Sequence, residues 1–364
     1  MKILIFNWRD ITHPQSGGAE IYLHEMAKRW VKEAHTVGWL CGYYPKGEKE
    51  EVIDGIYIIR RGEKYTVYLA VAIYYLLRLR GKYDVIIDGE NGIPFFTPLY
   101  TSIPKVLLIH HIHREVFFKE LKFPLSWIGW FLESKLMPLI YRRVRCLTVS
   151  QSSKVEIERL KLGNISIVFN GIDLNTYIPG EKSSFPLITY LGRLKAYKSL
   201  PILIEAMKRV IKEISEARLA IVGSGSERES LEILTQELNL TSSIKFYGHI
   251  EEKEKVKILQ KSWIFINPSL KEGWGVTTIE ANACGTPVIA SNVPGLRDSV
   301  IDGKTGYLFK YGDVADLANK IIRVLKDGNL REKLAQNALS WSKNFSWDKS
   351  ASETLRILKG ILSR

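Results

Sequence analysis

The 364-residue chain is 46% hydrophobic and 25% charged, which excludes a largely disordered protein and suits two domains of ordinary size. Its 52 basic and 39 acidic side chains leave a formal charge of +13, so an anionic partner is expected: a phosphorylated substrate, a lipid surface or nucleic acid. The three cysteines, Cys41, Cys146 and Cys284, are far apart and form no CxxC pair, which argues against a zinc framework or disulfides and for a reducing compartment.

The first predicted element is a buried strand over 2–6, with no signal-peptide pattern before it. After a polar loop, Gly17-Gly18-Ala19-Glu20 opens a predicted helix over 21–30, putting free backbone N–H groups and a positive dipole end beside the strand ends. The most apolar windows, 65–77 and 127–132, are shorter than the roughly 20 residues needed to span a bilayer. Further buried strands are predicted at 85–87, 106–109 and 147–149. Asp88-Gly89-Glu90 could be a metal-holding carboxylate pair, but it meets a turn at Asn91-Gly92-Ile93-Pro94 and reads better as loop residues lining a cleft. His110, His111 and His113 end the third of these strands. Alternation sends His110 and His111 to opposite sides, and no carboxylate has suitable spacing, so a substrate-contact role is expected rather than a metal site.

Residues 163–186 are dense in Gly, Pro, Asn and Ser and read as the join between domains at 1–168 and 187–346, with 169–186 the linker. The strand pattern then repeats at 187–191, 219–222, 244–247, 264–266 and 288–290. Continuous apolar strands alternating with helical stretches predict an α/β chain whose parallel sheets are covered on both faces, twice over. The first of these later strands ends in Gly192-Arg193-Leu194, and Arg193 and Lys198 emerge where open α/β sheets bind ligands, able to neutralise a diphosphate. Gly223-Ser224-Gly225 resembles only half of a dinucleotide fingerprint. Most telling is Glu272-Gly273-Trp274-Gly275 before a predicted helix that carries Glu280 eight residues after the first glutamate. A glycine-flanked turn opening a helix suits phosphate, and two carboxylates at that spacing can reach different parts of one ligand.

Taken together, the GGAE loop, the strand-end histidines, G-R-L-x-x-x-K, E-G-W-G-x-x-x-x-E and the later PGLRD and DGKTGYL resemble family-4 retaining glycosyltransferases of the GT-B fold over nearly the whole chain. The resemblance implies two Rossmann-like domains facing each other across a cleft, the first completed by a C-terminal helix over 347–364. It implies that Arg193 and Lys198 hold the donor diphosphate, Glu280 the ribose, and Glu272 the transferred sugar. Gly273, Trp274 and Gly275 would contact sugar and phosphates, Gly17 and Gly18 would approach the phosphates, and Tyr247, His249 and Ile250 would border the base. His110 or His111 would lie near the reacting carbon, and the sequence leaves open which. The implied reaction moves a sugar from a nucleotide-diphosphate sugar to an acceptor hydroxyl with α-linkage, by a front-face mechanism with no metal and no other cofactor.

The window 101–150 holds 8 basic and 3 acidic residues among dense aromatics. An anionic membrane surface and a glycan or lipid-linked acceptor are therefore expected partners, with a cytoplasmic location at the membrane face. Against this, Trp127, Trp130 and Phe131 fall at core-facing helical spacing. Two other readings are a nucleotide-sugar epimerase or phosphorylase-like enzyme of the same fold, and a basic nucleic-acid-binding protein. An epimerase converts donor without acceptor. The charge is split evenly, 24 basic and 18 acidic residues over 1–180 against 28 and 21 over 181–364, and no nucleic-acid module is evident, so nucleic acid is not the expected partner.

Overall fold

The computed structural model describes residues 1–363, with the backbone alone at positions 119 and 120. The chain forms two compact units: Met1–Gly171 together with the chain from Trp347 onward, and Ile172–Ser346.

The first unit begins with β1 (Lys2–Phe6), α1 (Gly18–Lys32), β2 (Thr36–Cys41), the hairpin strands β3 (Glu50–Ile53) and β4 (Ile56–Arg60), and α2 (Val67–Tyr74), which a π turn (Tyr75–Leu79) extends. Then follow β5 (Val85–Glu90), β6 (Lys105–Ile109), α3 (Arg114–Glu120), α4 (Leu125–Phe131), a π turn (Leu132–Leu136), α5 (Met137–Tyr141), β7 (Arg145–Thr148), α6 (Gln151–Arg159) and β8 (Ile165–Ile167). The eight strands run in the order β3-β4-β2-β1-β5-β6-β7-β8, parallel except for edge strand β3. The central strands are buried on both faces, β1 from Ile3 onward and β5 throughout, and are apolar up to Phe6 and Ile87, as a sheet covered by helices requires.

The second unit holds β9 (Leu187–Leu191), α7 (Leu200–Glu213), β10 (Arg218–Val222), α8 (Arg228–Glu237), β11 (Ile244–Gly248), α9 (Glu252–Lys261) and β12 (Ile264–Asn267). It continues through α10 (Val276–Ala283), β13 (Val288–Ser291), α11 (Leu296–Ser299), β14 (Gly306–Phe309), α12 (Val314–Lys326) and α13 (Gly328–Ser342). Its sheet is wholly parallel, in the order β11-β10-β9-β12-β13-β14. The strand order reverses beside β9, so the loops after β9 and β12 flank the switch point of the sheet. The last helix, α14 (Trp347–Leu362), packs on α1 of the first unit, where the Trp30 indole donates to the Ala351 carbonyl at 3.0 Å.

Residues 165–167, at the start of the stretch read as the join, form strand β8, paired with β7. Two expectations need correction. Asp88, Gly89 and Glu90 are not loop residues: they complete β5, and all three are buried. Asp88 there accepts hydrogen bonds from Thr97 Oγ1 at 2.7 Å, from Tyr141 Oη, and from the Phe95 N–H at 2.9 Å. The core-facing reading of the 127–131 aromatics also fails, because Trp127 is 55% and Phe131 52% exposed; only Trp130 is partly covered.

Candidate functional site

In the second unit, two loops at the carboxyl ends of adjacent strands carry the charged motifs. β9 runs into Gly192-Arg193, and the chain makes a 3₁₀ turn over Ala196–Lys198 before α7. Arg193 is exposed and donates from its guanidinium to Tyr197 Oη at 2.9 Å. Lys198 ion-pairs with Glu272, whose Oε1 also accepts from Ser269 Oγ at 2.9 Å. A backbone bond from Leu270 N–H to the Tyr197 carbonyl, 2.8 Å, ties the two loops together. Arg193, Lys198 and Glu272 are thus gathered at one sheet edge, although about 75 residues separate the first two from the last.

Gly275 sits at φ +78°, a left-handed conformation that suits glycine, and caps α10 without a side chain; a Cβ there would meet Leu296 at 2.8 Å. Trp274 is buried and packs edge-on against Phe345, centroids 5.1 Å apart. Glu280, on the second turn of α10, is 8% exposed. Its Oε1 takes a 3.0 Å hydrogen bond from Lys255 Nζ, while its buried Oε2 has no partner within the protein. Lys255 also pairs with Glu252 at 3.3 Å and stands 5.0 Å above the Tyr177 ring, whose hydroxyl donates to Glu252. Burial pulls the Lys255 ammonium down, but Glu280 and Glu252 outweigh it and hold the group above its ordinary range. Sequence reasoning missed Lys255 and Tyr177. Tyr247 and Ile250 are half-buried and His249 exposed, in and just after β11.

The half-fingerprint Gly223-Ser224-Gly225 has a packing cause. A Cβ at Gly223 would fall 1.9 Å from the Gly192 carbonyl oxygen and one at Gly225 2.0 Å from that of Leu194. Ser224 accepts the Leu194 N–H at 2.9 Å, so this turn braces the Arg193 loop.

In the first unit, Gly17 caps α1 in extended conformation, and its N–H is held by Glu20 Oε2 at 2.8 Å. The buried Glu20 also accepts from Asn91 Nδ2 at 2.9 Å and Asn7 Nδ2 at 3.4 Å, and burial raises its carboxyl above the usual range. A Cβ at Gly18 would meet nothing within 4 Å, so the protein's own packing does not demand that glycine.

His110 is buried edge-on against Tyr22, centroids 5.1 Å apart, and burial pushes its pKa down to about 4. The ring is therefore neutral at physiological pH. His111 is half-buried and stacks on His113 at 4.3 Å. His113 lies between two buried carboxylates, Glu90 and Glu133, with its Nδ1 3.5 Å from an oxygen of each. Burial would lower its pKa, but the two carboxylates raise it to about 9. The expectation that no carboxylate stands suitably for these histidines is overturned: topology, not sequence spacing, delivers Glu90 from β5 and Glu133 from the π turn.

Two family models match the chain, Glycosyltransferase Family 4 over residues 16–176 and Glycosyl transferases group 1 over 175–341. A glycosyltransferase of Methanocaldococcus jannaschii is 30% identical over 99% of this chain and 98% of its own length. The D-inositol 3-phosphate glycosyltransferase of Corynebacterium jeikeium is 30% identical over 51% of this chain and about half of its own length (49%). Among solved structures, the sucrose-phosphate synthase of Thermosynechococcus elongatus superposes with a TM-score of 0.85 at 22% identity, covering 100% of this chain and 99% of its own. Anabaena HepE, solved with UDP and glucose, gives 0.78 at 19% identity, covering 99% and 100%. With both halves matched in sequence and the two-sheet architecture matched in structure, the chain belongs to the family-4 glycosyltransferases of the GT-B fold.

Proposed function

We propose that this glycosyltransferase is retaining and metal-independent: it moves a sugar from an α-linked nucleotide-diphosphate donor to an acceptor hydroxyl and forms an α-linkage. The observation that carries the reading is the charged group at the ends of β9 and β12, where Arg193, Lys198 and the amino end of α10 can balance a diphosphate. Lys198 and Glu272 neutralise each other across one ion pair. On donor entry the ammonium turns to the diphosphate, and the released Glu272 oxygen accepts from sugar hydroxyls. Glu280, anchored by Lys255 through one oxygen, offers the other to the ribose diol. Tyr247, His249 and Ile250 border the base. Gly17 and Gly18 lie against the donor phosphates, which accounts for a glycine that the protein's own packing does not require.

Bond breaking leaves negative charge on the β-phosphate and positive charge on the anomeric carbon. Arg193, Lys198 and the Gly273, Trp274 and Gly275 amides stabilise the first. His110 or His111 lies near the second; burial keeps the His110 ring neutral, so that ring can accept a hydrogen bond there without adding repulsive positive charge. The acceptor attacks from the leaving-group side, and its proton passes to a departing phosphate oxygen, so no protein nucleophile is assigned.

We also propose that the acceptor is a lipid-linked glycan precursor reached at an anionic membrane surface. Supporting this, Phe123 is 80% exposed beside the exposed Trp127, Ile128 and Phe131, among exposed Lys122, Lys135, Arg142 and Arg143. Lys119, counted in the sequence reading, lies outside the described side chains. No helix among the described residues is long and apolar enough to cross a membrane, which suits surface attachment through rings and cations.

Donor binding is tested by thermal shift against a panel of nucleotide sugars, and the chemistry by NMR of the product linkage. An α-linked product formed equally with and without added Mg²⁺ is expected. A β-linked product, or turnover only with added Mg²⁺, refutes the mechanism; conversion of donor without acceptor favours the epimerase. Co-sedimentation with anionic vesicles at low salt is expected, weakening at high salt; its absence refutes the membrane step.

A further inference from the structure

We propose that Glu90, His113 and Glu133 form a binding site for one divalent transition-metal ion of the zinc class, separate from the donor site. The three ligand atoms come from the end of β5, the residue before α3 and the π turn after α4, and they lie within 4.8 Å of one another.

Distance is the first argument. His113 Nδ1 is 3.5 Å from Glu90 Oε1 and 3.5 Å from Glu133 Oε1. A charge-assisted hydrogen bond would sit at about 2.7–2.9 Å. Zinc–ligand bonds of about 2.0–2.2 Å at tetrahedral angles instead separate neighbouring ligand atoms by about 3.3–3.6 Å. Imidazole and carboxylates are spaced here as ligands of a common ion rather than as a hydrogen-bonded pair.

The second argument is an unmet bonding capacity. Glu90 is 1% exposed, and its Oε2 has no partner; His113 Nδ1 likewise accepts and donates no hydrogen bond. Two fully buried carboxylates side by side carry charge that is costly to desolvate, and a dication with a neutral imidazole balances it. The remaining carboxylate contacts orient the ligands. Glu90 Oε1 accepts the Gly92 N–H at 2.8 Å, Glu133 Oε1 accepts the His113 backbone N–H at 2.5 Å, and Glu133 Oε2 accepts the Arg114 N–H at 3.0 Å, the outer-shell support that metal ligands commonly have. Glu133 also stands on a π turn, a local distortion of the helix that recurs at functional positions. Nitrogen with two carboxylate oxygens suits zinc better than Mg²⁺, which prefers oxygen alone.

Such an ion would tie His113, at the end of the His110–His113 turn, to β5 and to the π turn. The whole purified chain is stripped with a chelator, checked for fold by circular dichroism, and titrated with ZnCl₂ against a chromogenic zinc indicator. Co²⁺ absorption is read in parallel. One tight site per chain, a tetrahedral Co²⁺ band, a rise in Tm on adding zinc and indifference to millimolar Mg²⁺ are expected. Glu90→Gln and Glu133→Gln, which keep shape and most hydrogen bonds, should each weaken zinc binding at least tenfold while remaining folded. His24→Gln, on another helix, should not. A stripped, folded wild type that binds no zinc below about 10 μM would overturn the site and leave the triad as an imidazolium held between carboxylates. Unchanged affinity in both glutamine variants would overturn it equally, by assigning the zinc to other histidines.

Discussion

Replacing Lys255 by methionine should destabilise the second unit more than any ordinary surface change. Methionine keeps the length of the stem but removes the ammonium that bonds Glu280 at 3.0 Å and Glu252 at 3.3 Å. The side chains of Lys255 and Glu280 are 16% and 11% exposed, so Glu280 would be left nearly buried with neither oxygen paired. Breaking a fully buried pair costs about 3–5 kcal/mol, and the residual exposure here brings the figure to about 2–3 kcal/mol. Loss of the cation over Tyr177 adds about 0.5 kcal/mol. For a unit of this size each kcal/mol moves Tm by about 2–4 °C, so a fall of about 5–14 °C is expected by calorimetry. Glu280→Gln in the Lys255→Met background should recover part of the loss, because the uncompensated charge is gone. A single variant within 0.5 kcal/mol of wild type, or a double variant worse than the sum of the singles, would refute the argument that Lys255 neutralises Glu280.

Lys198→Ala and Glu272→Gln should each lower kcat/KM by about 10- to 150-fold while leaving the fold intact, the range for a lost charge-assisted contact of about 1.5–3 kcal/mol; steady-state kinetics at saturating acceptor check this. Gly295 lies at φ +84°, and a Cβ there would meet the Glu272 carbonyl oxygen at 2.2 Å, so Gly295→Ala should raise the donor KM and cost about 1–3 kcal/mol in urea unfolding. With its pKa depressed to about 4 in the folded chain against 6.5 in the unfolded one, His110 binds more proton when unfolded. Its contribution is therefore complete above pH 6.5 and is lost as pH falls towards 4; His110→Gln should flatten that segment of the stability curve.

The doubly repeated α/β pattern was legible because the central strands are apolar on both faces, as in Lys2–Phe6 and Leu187–Leu191. Strand β3 was not, since its side chains alternate between exposed and half-buried, and neither was β14, a four-residue edge strand beginning at a glycine. The charged motifs around Arg193 and Glu272 could be read because glycines punctuate them. Lys255 could not. It lies in Glu252–Lys261, a helix so rich in lysine and glutamate that its sequence reads as one solvated face, and only the packing of α9 beside α10 turns that single lysine inward. Glu133 is hidden for a related reason: its burial depends on a π turn, which shifts the register of the facing residues by one and defeats a 3.6-residue reading.

The glycines of the second unit show how residues far apart in sequence come to act at one place. At Gly223 and Gly225, the turn after β10 runs so close to the loop after β9 that a Cβ would overlap the carbonyl oxygens of Gly192 and Leu194. At Gly295 the turn before α11 runs equally close to Glu272. These contacts are backbone against backbone, the first two holding the Arg193 loop and the third the Glu272 loop. Loops ordinarily lose conformational entropy when they close on a charged ligand. Here the folding of the sheet has already ordered both main chains, so in the function proposed above the rearrangement falls to side chains, the Lys198–Glu272 ion pair and the Arg193–Tyr197 hydrogen bond among them. The glycine-rich turn that reads in sequence as half of a nucleotide fingerprint therefore braces the arginine loop through its backbone, and in the function proposed above it supports diphosphate binding only indirectly.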